Sequence, residues 1–324
     1  MKKAGDEVTF PGLYISASPS LLSFRVKNYD ESPGIWYNQK DGIGEKTAPF
    51  ESNGRWGEQM ATYVMADIHG CYTEFRKMLE KIGFDGKKDE LIIAGDIVDR
   101  GKENYEMLEY AASYPEGVTF LMGNHDKDFI YYCIQLRLLY KKHKVPENLD
   151  LKTLVSDSRY EYLFNYHVID HYETVRQLIE DNEHSVSLED FRRWADVISE
   201  FPFFVRREIG GKKYIIVHAG YISEEEYRHA WSTGAINPRF RIEDFYVWAR
   251  EEGMDYGEEG ATVVFGHTPT IAERDFYNHG QVFFEERGNK RFINIDCGCV
   301  FRSWNLEANL ACIRLDDEKL FYLN

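Results

Sequence analysis

The sequence predicts an α/β fold built on a parallel sheet, and two observations predict it. A short apolar run, a polar loop and a helical pattern follow one another three times between residues 60 and 140. Each loop places acidic, amide or imidazole side chains directly after its apolar run. Repetition of that unit implies right-handed crossovers and parallel neighbours. Ligands of such sheets bind beyond the carboxyl ends of the strands.

The elements follow in order. Tyr63–Ala66 is the first run and ends in Asp67-Ile68-His69-Gly70; Tyr72, Phe75, Leu79 and Ile82 then recur at helical spacing. Leu91–Ala94 is the second run and ends in Gly95-Asp96-Ile97-Val98-Asp99-Arg100-Gly101, before a helix carrying Tyr105, Leu108 and Ala112. Val118–Met122 is the third and ends in Gly123-Asn124-His125-Asp126. Residues 127–204 read as a helical cap insertion with no chemistry of its own. One stripe there holds Phe129, Tyr132, Cys133, Leu136 and Tyr140, and another spans Leu188 to Ile198 before Pro202. Strands resume at Tyr214–Val217 and Thr262–Phe265, with more expected near 281–285, 291–295, 310–315 and 320–323. Residues 1–59 hold four of the nine prolines and seven of the 25 glycines, and read as an N-terminal extension to a main domain of residues 60–324. Its apolar patches and tryptophans allow it to dock a partner.

Charge and composition narrow the function. The 324 residues include 55 acidic and 39 basic side chains, a net charge of −16, which argues against a general nucleic-acid binder. Phosphorylated substrates remain open, because a bound metal reverses the local field. The longest uncharged stretch of the most apolar region, Phe129 to Leu136, is far short of the roughly 20 residues of a membrane span. The basic start lacks the apolar region of a signal peptide. Five scattered cysteines do not make a disulfide framework, so the expectation is a reduced, cytoplasmic protein.

The polar residues at the run ends are Asp67, His69, Asp96, Asn124, His218 in Val217-His218-Ala219-Gly220, and His267 in Gly266-His267-Thr268. Carboxylate, imidazole and amide oxygen suit manganese, iron or zinc. Six ligands exceed the need of one catalytic ion. They suit two ions about 3.5–4 Å apart that share a carboxylate and grip a phosphoryl oxygen.

Asp67-x-His69, Gly95-Asp96-x-Val98-Asp99-Arg100-Gly101, Gly123-Asn124-His125, Val217-His218-Ala219-Gly220 and Gly266-His267-Thr268 together resemble the calcineurin-like metallophosphoesterases of the serine/threonine phosphoprotein phosphatase type. The resemblance covers about residues 62–300. It is closer to bacterial and phage members and to symmetrical diadenosine tetraphosphate hydrolases than to eukaryotic phosphatases. It implies an α/β/β/α sandwich, two central mixed sheets flanked by helices, with a helical cap. It implies that Asp67 and His69 hold one divalent ion, that Asp96 bridges, and that Asn124, His218 and His267 hold the other. Manganese is the first choice of metal, with iron and zinc as alternatives. His125 becomes the general acid, Asp99 its orienting carboxylate, and Arg100 a phosphate contact. Arg250, in Trp248-Ala249-Arg250, is similar to the family's second phosphate arginine. Asp126 stands where many members have glutamate, and is taken as a supporting residue. Asn294-Ile295-Asp296-Cys297-Gly298 resembles a bracing strand motif.

The expected reaction is direct in-line attack of an activated water on phosphorus. The substrate read first is a phosphorylated protein or another small phosphomonoester. Glu224-Glu225-Glu226, near the rim, would repel a polyphosphate. The alternative is symmetrical hydrolysis of dinucleoside tetraphosphates, and a third reading is a non-catalytic module that binds a phospho-ligand. No cysteine has an arginine six residues later, and no Walker-type G-K-[ST] occurs, so two other phosphate-handling classes are excluded. Arg192-Arg193 and Arg206-Arg207 read as solvated faces.

Overall fold

A computed structural model describes residues 60–158, 173–181, 183–237, 240–271 and 276–323. The expected extension of residues 1–59, with its docking role, lies outside the described residues, as does the stretch 159–172 of the expected cap. The first half runs β1 (Thr62–Met65), α1 (Tyr72–Ile82), β2 (Glu90–Ile93), α2 (Asn104–Ala112), β3 (Val118–Phe120), α3 (Asn124–His143), α4 (Leu151–Ser156), α5 (Glu173–Glu180) and α6 (Leu188–Ile198). The second half runs β4 (Phe204–Ile209), β5 (Lys212–Val217), α7 (Glu224–Thr233), α8 (Ile242–Trp248), β6 (Ala261–Phe265), β7 (Phe283–Arg287), β8 (Lys290–Asn294), β9 (Leu310–Arg314) and β10 (Lys319–Leu323).

These strands form two mixed five-stranded sheets, in the orders β10-β9-β1-β2-β3 and β4-β5-β6-β8-β7. The helical crossovers α1 and α2 make β1, β2 and β3 parallel, with Val64 beside Ile92 and Ile92 beside Thr119. In the second sheet β5, β6 and β8 are parallel, and β4 and β7 flank them antiparallel.

The strand period explains how the sheets meet. Successive side chains point to opposite faces. Val64, Ala66, Ile92 and Ala94 from the first sheet pack with Tyr214, Ile216, Val264 and Ile293 from the second, in one buried cluster between them. The alternate residues Tyr63, Met65, Leu91 and Ile93 belong to a second cluster that includes Phe75 and Met78 of α1, Met107 and Leu108 of α2 and Phe129 of α3. Each sheet is therefore covered on both faces. The α/β/β/α sandwich follows from that double burial, and it fixes the carboxyl ends of the parallel strands.

β4 departs from expectation. Phe204-Val205-Arg206-Arg207-Glu208-Ile209 carries two central arginines and does not read as a strand. It survives at a sheet edge, where charged side chains also discourage pairing with another chain. Nor are these arginines a solvated face. Arg207 Nε donates to both Glu90 oxygens at 3.1 and 2.9 Å, and Arg206 binds Glu258 and the Tyr221 hydroxyl. Arg192 and Arg193 are exposed as expected, with Arg193 paired to Glu109 at the surface. Among the described residues, no helix is long and apolar enough to cross a membrane.

Candidate active site

Asp67 and His69 follow β1, Asp96, Asp99 and Arg100 follow β2, and Asn124 and His125 open α3 after β3. His218 follows β5 and His267 follows β6, so both sheets contribute from their carboxyl ends. Asp67, His69, Asp96, Asp99, Arg100 and His267 all have positive φ, between 46° and 70°. That region is sparsely allowed for side-chain-bearing residues and costs about 1–3 kcal/mol each. The buried strands on which these residues sit offset the strain and hold the turns rigid.

The loops are tied to one another from below. Asp126, in the first turn of α3, accepts from Asp96 N–H at 2.8 Å, Gly123 N–H at 2.9 Å and Ile97 N–H at 3.0 Å. The shorter carboxylate thus performs the supporting role expected of it. Two glycines are required for different reasons. Gly95 has φ of 86°, whereas Gly123 is ordinary in φ but would place a Cβ 2.2 Å from Asp96 Oδ1.

The imidazoles are set by their outer hydrogen bonds. His69 Nδ1–H donates to Val98 O at 2.8 Å, so its Nε2 lone pair faces inward, 3.4 Å from Asp96 Oδ2. His218 Nδ1–H donates to Ala94 O at 2.9 Å. Its Nε2 then faces Asn124 Oδ1 at 3.0 Å, His267 Nδ1 at 3.2 Å and Asp96 Oδ1 at 3.5 Å. His267 Nδ1 is 2.9 Å from the same Asn124 oxygen. Burial holds His218 below the usual histidine range. Burial, then the Arg100 charge, puts His69 well below it; burial, then His218, does the same for His267. Neutral imidazole is the ligand form. Burial, then Asp296 and Asp96, pushes Asp67 well above the usual carboxylate range.

These residues fit cations. Ligand atoms of His69, Asp96 and His125, and of Asp96, His218 and His267, lie within 4.8 Å of one another, with Asp96 common to both groups. Asp67 joins through the backbone of His267, whose N–H donates to Asp67 Oδ2 at 3.0 Å. Asp67 Oδ1 and His267 Nε2 are buried without a hydrogen-bond partner. A buried carboxylate oxygen left so is costly unless a cation takes it. Facing lone pairs on Asn124, His218 and Asp96 point the same way.

Beside them lies a carboxylate–imidazole pair. His125 Nδ1–H donates to Asp99 Oδ2 at 2.7 Å. Burial lowers the pKa of His125, but the Asp96 charge and the Asp99 hydrogen bond outweigh it and raise the group above its ordinary value. Burial likewise opposes ionisation of Asp99, yet His125 and Thr174 hold it below the carboxylate range. Asp99 is not a helix cap, since Glu103 occupies that place for α2. Arg100 donates from Nη1 to His69 Nε2 at 3.0 Å, and its Nη2 lies 3.0 Å from His125 Nε2. Arg250 is exposed just after α8 and donates to Thr268 Oγ1 at 3.1 Å, beside His267.

A family model described as calcineurin-like phosphoesterase matches residues 60–298. The chain belongs to the calcineurin-like phosphoesterase family. Among relatives of this calcineurin-like phosphoesterase, a Marinomonas protein named symmetrical bis(5'-nucleosyl)-tetraphosphatase is 25% identical over 284 residues, covering 81% of this chain and 96% of its own. A Buchnera aphidicola protein of the same name is 51% identical over 71 residues, which are 22% of this chain and 26% of that protein. Against most of these relatives the chain thus spans about a quarter to two fifths of their length. A solved serine/threonine phosphatase of Saccharomyces cerevisiae is 15% identical, with 82% and 79% coverage and a TM-score of 0.44.

Two features of this calcineurin-like phosphoesterase escape sequence reading. Thr174 of α5 is 2% exposed, accepts from Asp99 N–H at 3.1 Å, and donates its own N–H at 3.1 Å and its hydroxyl to Asp99 Oδ1. The stretch expected as a cap therefore reaches the site through Asp99. A lone threonine in a polar stretch gives no signal of it. The acids after His218 also open a helix, with Glu224 and Glu225 exposed. Glu226 accepts from Ser223 N–H and Oγ in a capping box, Glu224 pairs with Arg228, and all three favour the positive end of α7.

Proposed function

We propose that this chain hydrolyses phosphoanhydride bonds of nucleoside polyphosphates, with symmetrical bis(5'-nucleosyl)-tetraphosphate as its substrate. The observation that carries the substrate is the match along 96% of the Marinomonas protein of that name. The acid run that weighed toward phosphomonoesters opens α7, where Glu226 caps the helix and Glu224 pairs with Arg228, so part of its charge is committed within the chain.

Asp67, His69 and Asp96 would hold one divalent ion, and Asp96, Asn124, His218 and His267 the other. Manganese, iron and zinc all match these donors. When bound, such a pair supplies charge against the phosphoryl oxygens and lowers the pKa of a water poised for in-line attack. The chain's own residues do the rest. Asp99 fixes His125 Nδ1, so Nε2 is the atom that delivers a proton to the departing phosphate oxygen. Arg100 lies beside that atom and presents a planar fork suited to phosphate oxygens, as does Arg250 from the opposite sheet.

The test is product analysis on diadenosine tetraphosphate after metal stripping and manganese add-back, with Asp96→Asn as control. ADP as the sole nucleotide product, lost in the control, is the expected result. Phosphate release from a phosphothreonine peptide or p-nitrophenyl phosphate, with no ADP formed, would replace this reading with the phosphomonoesterase one.

A further inference from the structure

We infer that the segment after β8 carries a nucleobase platform built from Phe301 and Trp304, next to Arg100. This rests on the nucleotide reading above for its choice of ligand. Three observations converge on it. The Arg100 guanidinium carbon lies 5.9 Å from the centre of the Phe301 ring, a cation–π contact. Phe301 in turn meets Trp304 edge to face at 5.1 Å. Trp304 is 72% exposed and its neighbour Leu306 fully so.

Large apolar side chains gathered in water next to a polar site mark a binding surface. Here the surface continues from a group placed to hold phosphate. His69 and His125 touch Arg100, Arg100 touches Phe301, and Phe301 touches Trp304. A nucleotide has the same order: phosphate, then a ribose, then a flat aromatic base. An indole face open to water stacks any base without reading its edge. The segment is also braced. A Cβ at Gly280 would stand 1.7 Å from Glu307 O, so the loop before β7 packs directly against it. A platform of this kind selects a nucleoside phosphate over a bare phosphate chain, and it tolerates either purine.

The experiment uses the full chain loaded with manganese, and any phosphoester that it turns over. Inhibition constants are measured for ADP and for inorganic pyrophosphate, which carries the same phosphates without the nucleoside. The wild type should bind ADP more tightly. Trp304→Ala should shrink that advantage about 5- to 100-fold, the range that base–aromatic stacking gives. Trp304→Phe keeps a ring and should retain most of it. Equal binding of ADP and pyrophosphate by the wild type, or an advantage that survives Trp304→Ala, would overturn the platform. A chain that keeps the ADP advantage but releases no ADP from diadenosine tetraphosphate would sink the proposed reaction and leave the platform standing.

Discussion

At the scale of single residues, the proposed reaction separates holding from proton delivery. His125 is the residue on which that separation turns. Its ring shares a cluster with His69 and Asp96, yet its Nδ1–H is committed to Asp99 and its backbone N–H to Asp96 Oδ1 at 3.0 Å. A ligand would need only position, whereas an acid needs a partner that raises its proton affinity. Asp99 is that partner. His125→Asn is therefore expected to lower kcat about 10²- to 10⁴-fold while the metal content stays unchanged. Metal analysis of the purified variant, beside turnover of p-nitrophenyl and phenyl phosphate, checks it. Phenolate is the poorer leaving group, so phenyl phosphate should lose more. Loss of one metal equivalent, with equal losses on both esters, would make His125 a ligand instead.

At the scale of elements, the cap helix α5 reaches into this pair. Its Thr174 offers Asp99 Oδ1 two donors and takes the Asp99 N–H, and Gln177 Nε2 donates to Lys102 O at 2.6 Å on the same loop. With Oδ1 so engaged, Oδ2 is left for His125. Thr174→Val keeps the volume and removes the hydroxyl, so kcat should fall roughly tenfold, the worth of one hydrogen bond to a charged group. KM should stay put, and Thr174→Ser should restore most of the rate. A KM effect with unchanged kcat would show that α5 touches substrate rather than Asp99. What the sequence reveals at this scale depends on locality. β1 to β3, α1 to α3 and the polar residues gathered at the strand ends are legible because each element is a periodic run with its polar residues immediately behind it. β4 is hidden by Arg206 and Arg207, which find carboxylates only in the folded chain. Helix α8 is short, and the acids that open α7 read as a charged surface rather than as a helix start. Thr174 lies 75 residues from Asp99, and no spacing rule spans that distance.

At the scale of the whole molecule, the question is what keeps two sheets in register so that their strand ends meet over one site. Spacing alone does not answer it. The central strands are buried on both faces, and their apolar runs say nothing about which face meets the other sheet. The cluster around Val64, Ile92, Ile216 and Val264 supplies the attraction, but apolar packing has little direction. A directed contact comes from Glu318, in the turn between β9 and β10. Its carboxylate takes Arg291 of β8 in a two-point grip at 2.7 and 2.8 Å, and it also accepts from the Tyr214 hydroxyl of β5 at 3.2 Å. Arg291, then Lys212, lowers the Glu318 pKa from 4.5 to about 2 against the opposing effect of burial. A carboxyl depressed on folding stabilises the fold above its unfolded pKa, and that stability fades as pH falls from about 4.5 toward about 2. Lys212 is 65% exposed and adds little, so the grip is worth about 1–2 kcal/mol at neutral pH. Glu318→Gln should therefore lower the urea midpoint at pH 7. The two proteins should converge as the titration is carried down through pH 4 to pH 3. A gap that stays constant with pH would mean that the variant acts through packing in the turn, and that the sheets are held by their apolar faces alone.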